Sequence, residues 1–193
     1  FIDGGQGQLN AVREVIAEYT TGGFSDIGAH EFDIVQWALG MDGSGPVEII
    51  PPEDPATKSG VKFLYADGTE VIHGDRGGLV FEGTDGKITL NRAEMRCEPE
   101  NLAEEPLGHG AVRLEQSPGH HRNWIECIRS RKRPICDVEI GVRSVTICHL
   151  GNLAYWNHRR LRWDPQNWQF VDDAEANTWL DRPRRDPWQL PEA

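Results

Sequence analysis

The sequence predicts an α+β fold: a mainly antiparallel open sheet with helices packed on one face. Two hairpin signals predict the sheet. Asp67-Gly68 and Asp85-Gly86 each stand between short apolar or alternating runs, and such turns join neighbouring strands of opposite direction. Helical periodicity before and after that strand region supplies the helices. With 193 residues, 38% of them hydrophobic, the chain suits one large domain or two small ones, and folding buries roughly 70% of the unfolded surface.

The elements follow in order. Residues 1–20 read as a short strand, a Gly-rich turn and a helix from Leu9 to Tyr19, broken by Gly22-Gly23. A second helix runs from about Ser25 to Leu39 and stops at Gly40 and Asp42-Gly43. From Pro46 to Arg96 the pattern turns to strands, with Val61, Phe63 and Tyr65 alternating with Lys62 and Leu64. Residues 97–117 read as a polar loop. Ser117-Pro118 predicts the next helix start, with Ser at the N-cap and Pro at N1. That helix ends in the basic run Arg129–Arg133 before Pro134, where cations suit the negative end of the helix dipole. A longer helix is expected from Glu139 to Arg159, and a tail follows with Trp163, Trp168, Trp179 and Trp188.

Composition excludes several classes. Acids outnumber bases 31 to 20, for a net charge of −11. A chain so anionic is repelled by phosphate backbones, so nucleic-acid binding is disfavoured. No apolar run approaches the roughly 18 residues that a membrane helix needs, so no membrane partner is expected. Cys97, Cys127, Cys136 and Cys148 form no CxxC pair and read as reduced thiols, not as a disulfide framework or zinc site.

Chemistry concentrates on the second helix. Advancing about 100° per residue from Asp26 at zero puts His30 at about 40°, Asp33 at about −20° and Trp37 at about 20°. Ile27, Ile34, Val35, Ala38 and Leu39 spread over the other side and read as the core stripe. A helix burying only one face has no need of a His bracketed by two Asp. Asp26 and His30 are one turn apart and can touch, and Asp33 can also reach His30. Gly22, Gly23 and Gly28 leave room for a ligand beside this end. The pattern fits a proton-transfer and hydrogen-bonding site for a hydroxylated small molecule. It also fits a surface helix with an ordinary cap.

The stretch from Gly22-Gly23-Phe24-Ser25-Asp26 through His30-Glu31-Phe32-Asp33 to Trp37-Ala38-Leu39-Gly40 resembles the start of the C-terminal domain of the Gfo/Idh/MocA oxidoreductases. Ser44-Gly45-Pro46-Val47-Glu48, Phe81-Glu82-Gly83-Thr84-Asp85-Gly86, His121-Arg122-Asn123-Trp124, Cys148-His149-Leu150-Gly151-Asn152 and Arg185-Asp186-Pro187-Trp188 extend the resemblance over nearly all of residues 21–193. It implies a domain that holds substrate and builds oligomers, beside a Rossmann domain that binds NAD or NADP. The family's Asp-x-x-x-His motif falls on Asp26 and His30. The resemblance implies His30 as acid/base on a substrate hydroxyl and Asp26 as its orienting or substrate-binding partner. No G-x-G-x-x-G follows a strand, and the family's Glu-Lys-Pro is absent, so no cofactor-binding residue is expected in this chain. Asp33 and His121 are further candidates for substrate binding.

Residues 1–19 resemble instead a short piece of the UvrC endonuclease domain, in which Asp3 would be a metal-binding carboxylate. No second carboxylate of such a cluster is identifiable, and two-metal cleavage needs several. The alternative is a strand and helix added to the edge of the following domain. The domain boundary is therefore expected near residue 20, with 1–20 as an appendage. The abrupt opening on Phe1 suggests a fragment.

The bland readings stand beside these. His149 shares a helical face with Val142, Val145, Leu153 and Trp156 and reads as a core histidine. His121 shares one with Trp124, Ile125 and Ile128. The tail tryptophans read as clamps for an irregular segment, or as stacking surfaces for a sugar ring. The function expected is the substrate-binding half of an NAD(P)-dependent oxidoreductase for a sugar, cyclitol or related polyol, inactive alone. The other reading is a non-catalytic module for oligomerisation or ligand binding. A homo-oligomer through the open sheet face is expected. The resemblance implies a cytoplasmic protein or, with a signal upstream of Phe1, an exported one.

Overall fold

The computed structural model describes residues 22–75, 78–104, 109, 116–181 and 184–187; at residues 22, 23 and 25–27 it describes the backbone alone. The expectations for residues 1–20 and for Trp188 lie outside these. The chain divides into two compact units, one of residues 1–43 and 74–148, the other of residues 44–73 and 149–193.

The first unit opens with helix α1, Gly22–Ala38. It takes in Gly22-Gly23, three residues before the expected Ser25, and the expected helix before that pair lies outside the described residues. Glycine is only a weak breaker, at about 1 kcal/mol. The end is sharper. Gly40 N–H donates to Trp37 O and Met41 N–H to Gln36 O, with Gly40 at φ +68°. This is the paired closure that a left-handed residue after a helix makes. Buried Gln36 adds a side-chain bond from Nε2 to Met41 O at 3.0 Å.

A three-stranded antiparallel sheet follows, built of β4 (Leu79–Gly83), β5 (Gly86–Leu90) and β6 (Met95–Glu98). Its register sets Leu79, Leu90 and Met95 in one row and Phe81, Ile88 and Cys97 in another. Rows two apart share a face, so this face is apolar and the opposite one carries Val80, Glu82, Lys87, Thr89 and Arg96. The expected turn at Asp85-Gly86 joins β4 to β5. There Gly86 is required, since a Cβ would meet Glu98 O. Two expectations shift in this unit. Residues 97–117 are not wholly loop, because β6 and a 3₁₀ turn at Glu100–Ala103 occupy their start. Helix α2 spans His120–Ser130 with Gly119 at its N-cap. Ser117 instead accepts the Gly119 N–H on its own hydroxyl, at 3.3 Å, two residues before the cap. Arg131 closes the helix in the left-handed region, at φ 60°. Arg133 of the basic run pairs with Asp137 and Glu139.

The second unit holds a five-stranded sheet in the order β3-β2-β1-β7-β8. Its strands are β1 (Glu48–Ile50), β2 (Lys62–Leu64), β3 (Glu70–Ile72), β7 (Leu161–Asp164) and β8 (Gln169–Phe170), and every pairing is antiparallel. The class is thus α+β with antiparallel strands, and the strands form two sheets. Ile49, Val61, Phe63, Tyr65, Leu161, Trp163 and Phe170 are buried, as the alternation through Val61–Tyr65 predicts. Helix α3 spans Val138–Asn157, and its residues from His149 onward belong to this unit. Its last turns serve this sheet: Tyr155 Oη accepts the Val61 N–H at 3.2 Å and lies 2.7 Å from His73 Nδ1. The tail clamps as expected. Trp163 meets Phe170 edge-on, and Phe170 meets Trp179. Arg159 lies over the Trp179 ring, 4.9 Å from its centroid, while its guanidinium grips Asp173 at 2.7 and 3.1 Å. Asp173 in turn caps helix α4, Ala174–Asn177, by accepting the Ala176 N–H.

Candidate functional site

Within the first unit, α1 and the strand ends around β4 and β5 enclose a cavity of about 390 Å³. His30, Glu31 and Ile34 line it from the helix, Leu79 and Leu90 from the apolar sheet face, and Asn91 and Arg92 from the turn after β5. The volume lies at the lower end of small-molecule sites, about 300–1,000 Å³.

The helix presents these residues because its buried face lies elsewhere than the aliphatic pattern suggests. Phe32, Val35 and Gln36 are buried, and Phe24 meets Phe32 edge-on at 5.5 Å. That stripe centres at about 220° on the wheel that starts at Asp26, so the core is rotated from the expected one. Ile34, expected in the core, lines the cavity with His30, and Trp37 is exposed. An apolar residue beside a catalytic candidate is what a ligand site needs: wall and polar group on one face.

His30 is exposed and makes no hydrogen bond or ion pair among the described residues. Glu31 Oε1 accepts the Gly78 N–H at 3.2 Å, tying the helix to the start of β4. Asn91 builds the turn: its Oδ1 accepts the Ala93 and Glu94 N–H groups at 2.8 and 3.1 Å, and its own N–H donates to Glu94 O. Arg92 stands at the tip of that turn, exposed.

The other candidates are placed differently. Asp26 lies four residues before His30 on α1, and its side chain is outside the described ones. Asp33 accepts a short bond, 2.6 Å, from the hydroxyl of buried Ser144 on α3. It therefore serves helix contact, and no bond joins it to His30. His121 is exposed on α2, its ring 4.0 Å from that of His120, and it does not line the cavity. His149 is exposed and not the expected core histidine, although neighbouring side chains desolvate its ring enough to lower its pKa. Sequence reasoning missed Glu31, Asn91 and Arg92. An Asn directly after an apolar strand run was the available signal, because Asn favours the first position of a turn.

Among the described residues no group of three His, Cys, Asp or Glu side chains could hold a metal ion, and no helix is long and apolar enough to cross a membrane. None of the four cysteines is in a disulfide among the described residues. The Cys136 thiol is pushed up by burial and by the carboxylates of Asp33, Asp42 and Asp137, which suits it poorly for nucleophilic work.

One family model matches the chain, over residues 11–190, and its description is "Oxidoreductase family, C-terminal alpha/beta domain". The match begins inside the stretch set apart at 1–20 and lends no support to a nuclease resemblance there. No curated protein and no solved structure matches the chain significantly.

Proposed function

This chain belongs to the Gfo/Idh/MocA oxidoreductase family as its C-terminal alpha/beta domain, and from that premise we propose that it binds the substrate, a sugar, cyclitol or related polyol, in the His30 cavity. The observation that carries the reading is the position of His30. It lines the cavity beside Ile34, Leu79 and Leu90 and has no competing partner among the described residues, so its ring nitrogens are available to a ligand.

His30 then exchanges the proton of a substrate hydroxyl, because a carbinol becomes a carbonyl only if its O–H proton leaves. Neutral imidazole takes that proton on one nitrogen and returns it in the reverse direction. Asp26, one turn earlier, is proposed to orient the ring or bind substrate. Ile34, Leu79 and Leu90 exclude water from the carbon skeleton. Asp33 and His121 lie outside the cavity, and no role on substrate is assigned to them.

Family membership implies NAD or NADP in the complete enzyme, as the species that exchanges hydride with the carbinol carbon. The residues described do not fit that group. Dinucleotide sites sit at the end of a parallel strand, where a glycine-rich turn opens a helix, and both sheets here are antiparallel throughout. The contribution proposed for this chain is binding, orientation and proton transfer.

A homo-oligomer is proposed on the apolar face of the three-stranded sheet, where Met95 is exposed and Phe81 and Ile88 are half-buried. Sedimentation at tens of micromolar tests it, and a monomer contradicts it. The function itself is tested by turnover in an enzyme that carries this chain together with a nicotinamide-binding domain. His30→Ala is expected to cut turnover by about 10²-fold or more. Near-normal turnover would make His30 a bystander.

A further inference from the structure

We infer that the cavity selects an anionic polyol, a sugar acid whose carboxylate is gripped by Arg92 while a carbinol faces His30. The inference rests on the cavity being the substrate site.

Arg92 and His30 line the same cavity. The chain carries 31 acids against 20 bases, so its cations have abundant partners. Arg96, Arg122, Arg133, Arg143, Arg159, Arg160, Arg162 and Arg184 each pair with a carboxylate within 4.0 Å. Arg92 pairs with none among the described residues. Arg129, Arg131 and Lys132 are also unpaired there, but they sit at the C-terminal end of α2, whose carbonyls favour cations; Lys58 and Arg185 are unpaired as well, but neither lines the cavity. Arg92 has no helix end to serve. It follows β5 at the tip of a tight turn.

Donors outnumber acceptors around it. The Asn91 Oδ1 is committed to two backbone N–H groups, which leaves its amide N–H groups as donors. Glu31 is the one acidic lining residue, and its Oε1 is engaged by Gly78. The guanidinium offers five N–H donors in a planar fork that matches a carboxylate in two parallel bonds. Glu31 keeps its charge but forms no ion pair with Arg92, so the guanidinium fork is left for a ligand carboxylate. With Glu31 already in the lining, a phosphate dianion would add more negative charge than the single cation of this cavity offsets.

Titration calorimetry on this chain with D-glucuronate, D-glucose and D-glucose 6-phosphate tests the inference. Glucuronate is expected to bind about 10-fold or more tighter than glucose, as charge-assisted bonds permit. Arg92→Gln should erase that preference. Arg92→Lys should retain part of it, since a point charge lacks the fork. Because Arg92 is exposed in a turn, both variants should fold, which circular dichroism checks. Equal affinity for glucuronate and glucose, or a preference surviving in Arg92→Gln, overturns the inference while leaving the cavity as a polyol site. A phosphate preference overturns the carboxylate assignment. If none of the three binds, the cavity reading itself fails and the inference falls with it.

Discussion

In the five-stranded sheet Ile49, Val61, Phe63 and Leu161 have no exposed surface, whereas in the three-stranded sheet Val80 and Met95 are 55% and 59% exposed. Both sheets are antiparallel and both alternate. They differ in what the alternation achieves. In the first, the inward rows are buried, as are Leu150 and Ala154 of α3. In the second, Leu79 and Leu90 wall a cavity, and no described side chain fills it. The first region is the better packed of the two, and the second holds the proposed ligand cavity.

The largest test of that contrast is Phe63→Ala. Removing a fully buried aromatic costs about 3–5 kcal/mol, a large share of a domain's total. Val80→Ala should stay within about 0.5 kcal/mol, as exposed positions do. Urea unfolding of the two variants measures both, and similar losses would dissolve the distinction. Ser144→Ala probes a middle case. It strips Asp33 of its 2.6 Å bond and should cost about 1–3 kcal/mol, read in the same experiment, with ligand binding to the cavity preserved.

A pH series sharpens the comparison in the second unit. Arg159 beside Asp173, helped by the Ala176 N–H, holds that carboxyl below its usual range. The folded pKa is depressed, so the stabilisation is complete above the unfolded value of about 3.9. It is lost as pH falls through the lower folded value. Asp173→Asn should therefore flatten the acid limb of stability against pH, and an unchanged limb would exclude this pair as a contributor. The smallest effect expected is on thiol reactivity. Burial pushes Cys148 up to about 12, so it should resist a disulfide reagent at about pH 8 until the chain unfolds. Exposed Cys136 should react in the native state, slowed by the acids near it. Native labelling followed by peptide mapping separates the two.

Much of the fold was legible because local chemistry agreed with tertiary structure. Asp67-Gly68 turns as read, with Asp67 Oδ1 accepting the Thr69 N–H and Gly68 at φ +91°. Val61, Phe63 and Tyr65 point inward as their alternation required. The helices were harder, because apolar character and burial part company on them. On α3 the buried positions include Arg143, Ser144 and Asn152, while Val142 and Trp156 are 43% and 60% exposed. A reading that equates apolar with core selects the wrong stripe and places His149 inside. The same rule hid the cavity wall: Ile34 was assigned to the core and lines the site. His30 was legible because a histidine off the aliphatic stripe stood out. Arg92 was not, since only the folded structure sets it beside the cavity without a carboxylate partner among the described residues.

The most direct test follows the histidine ring resonances of this chain as myo-inositol is added, with His30 assigned through its Gln variant. The account predicts that His30 signals shift with saturation, while those of His149 and His121, both outside the cavity, stay in place. Filling the cavity with Ile34→Trp should abolish the shift. An unmoved His30, or shifts centred on His149 or His121, would contradict the assignment of this cavity as the substrate site.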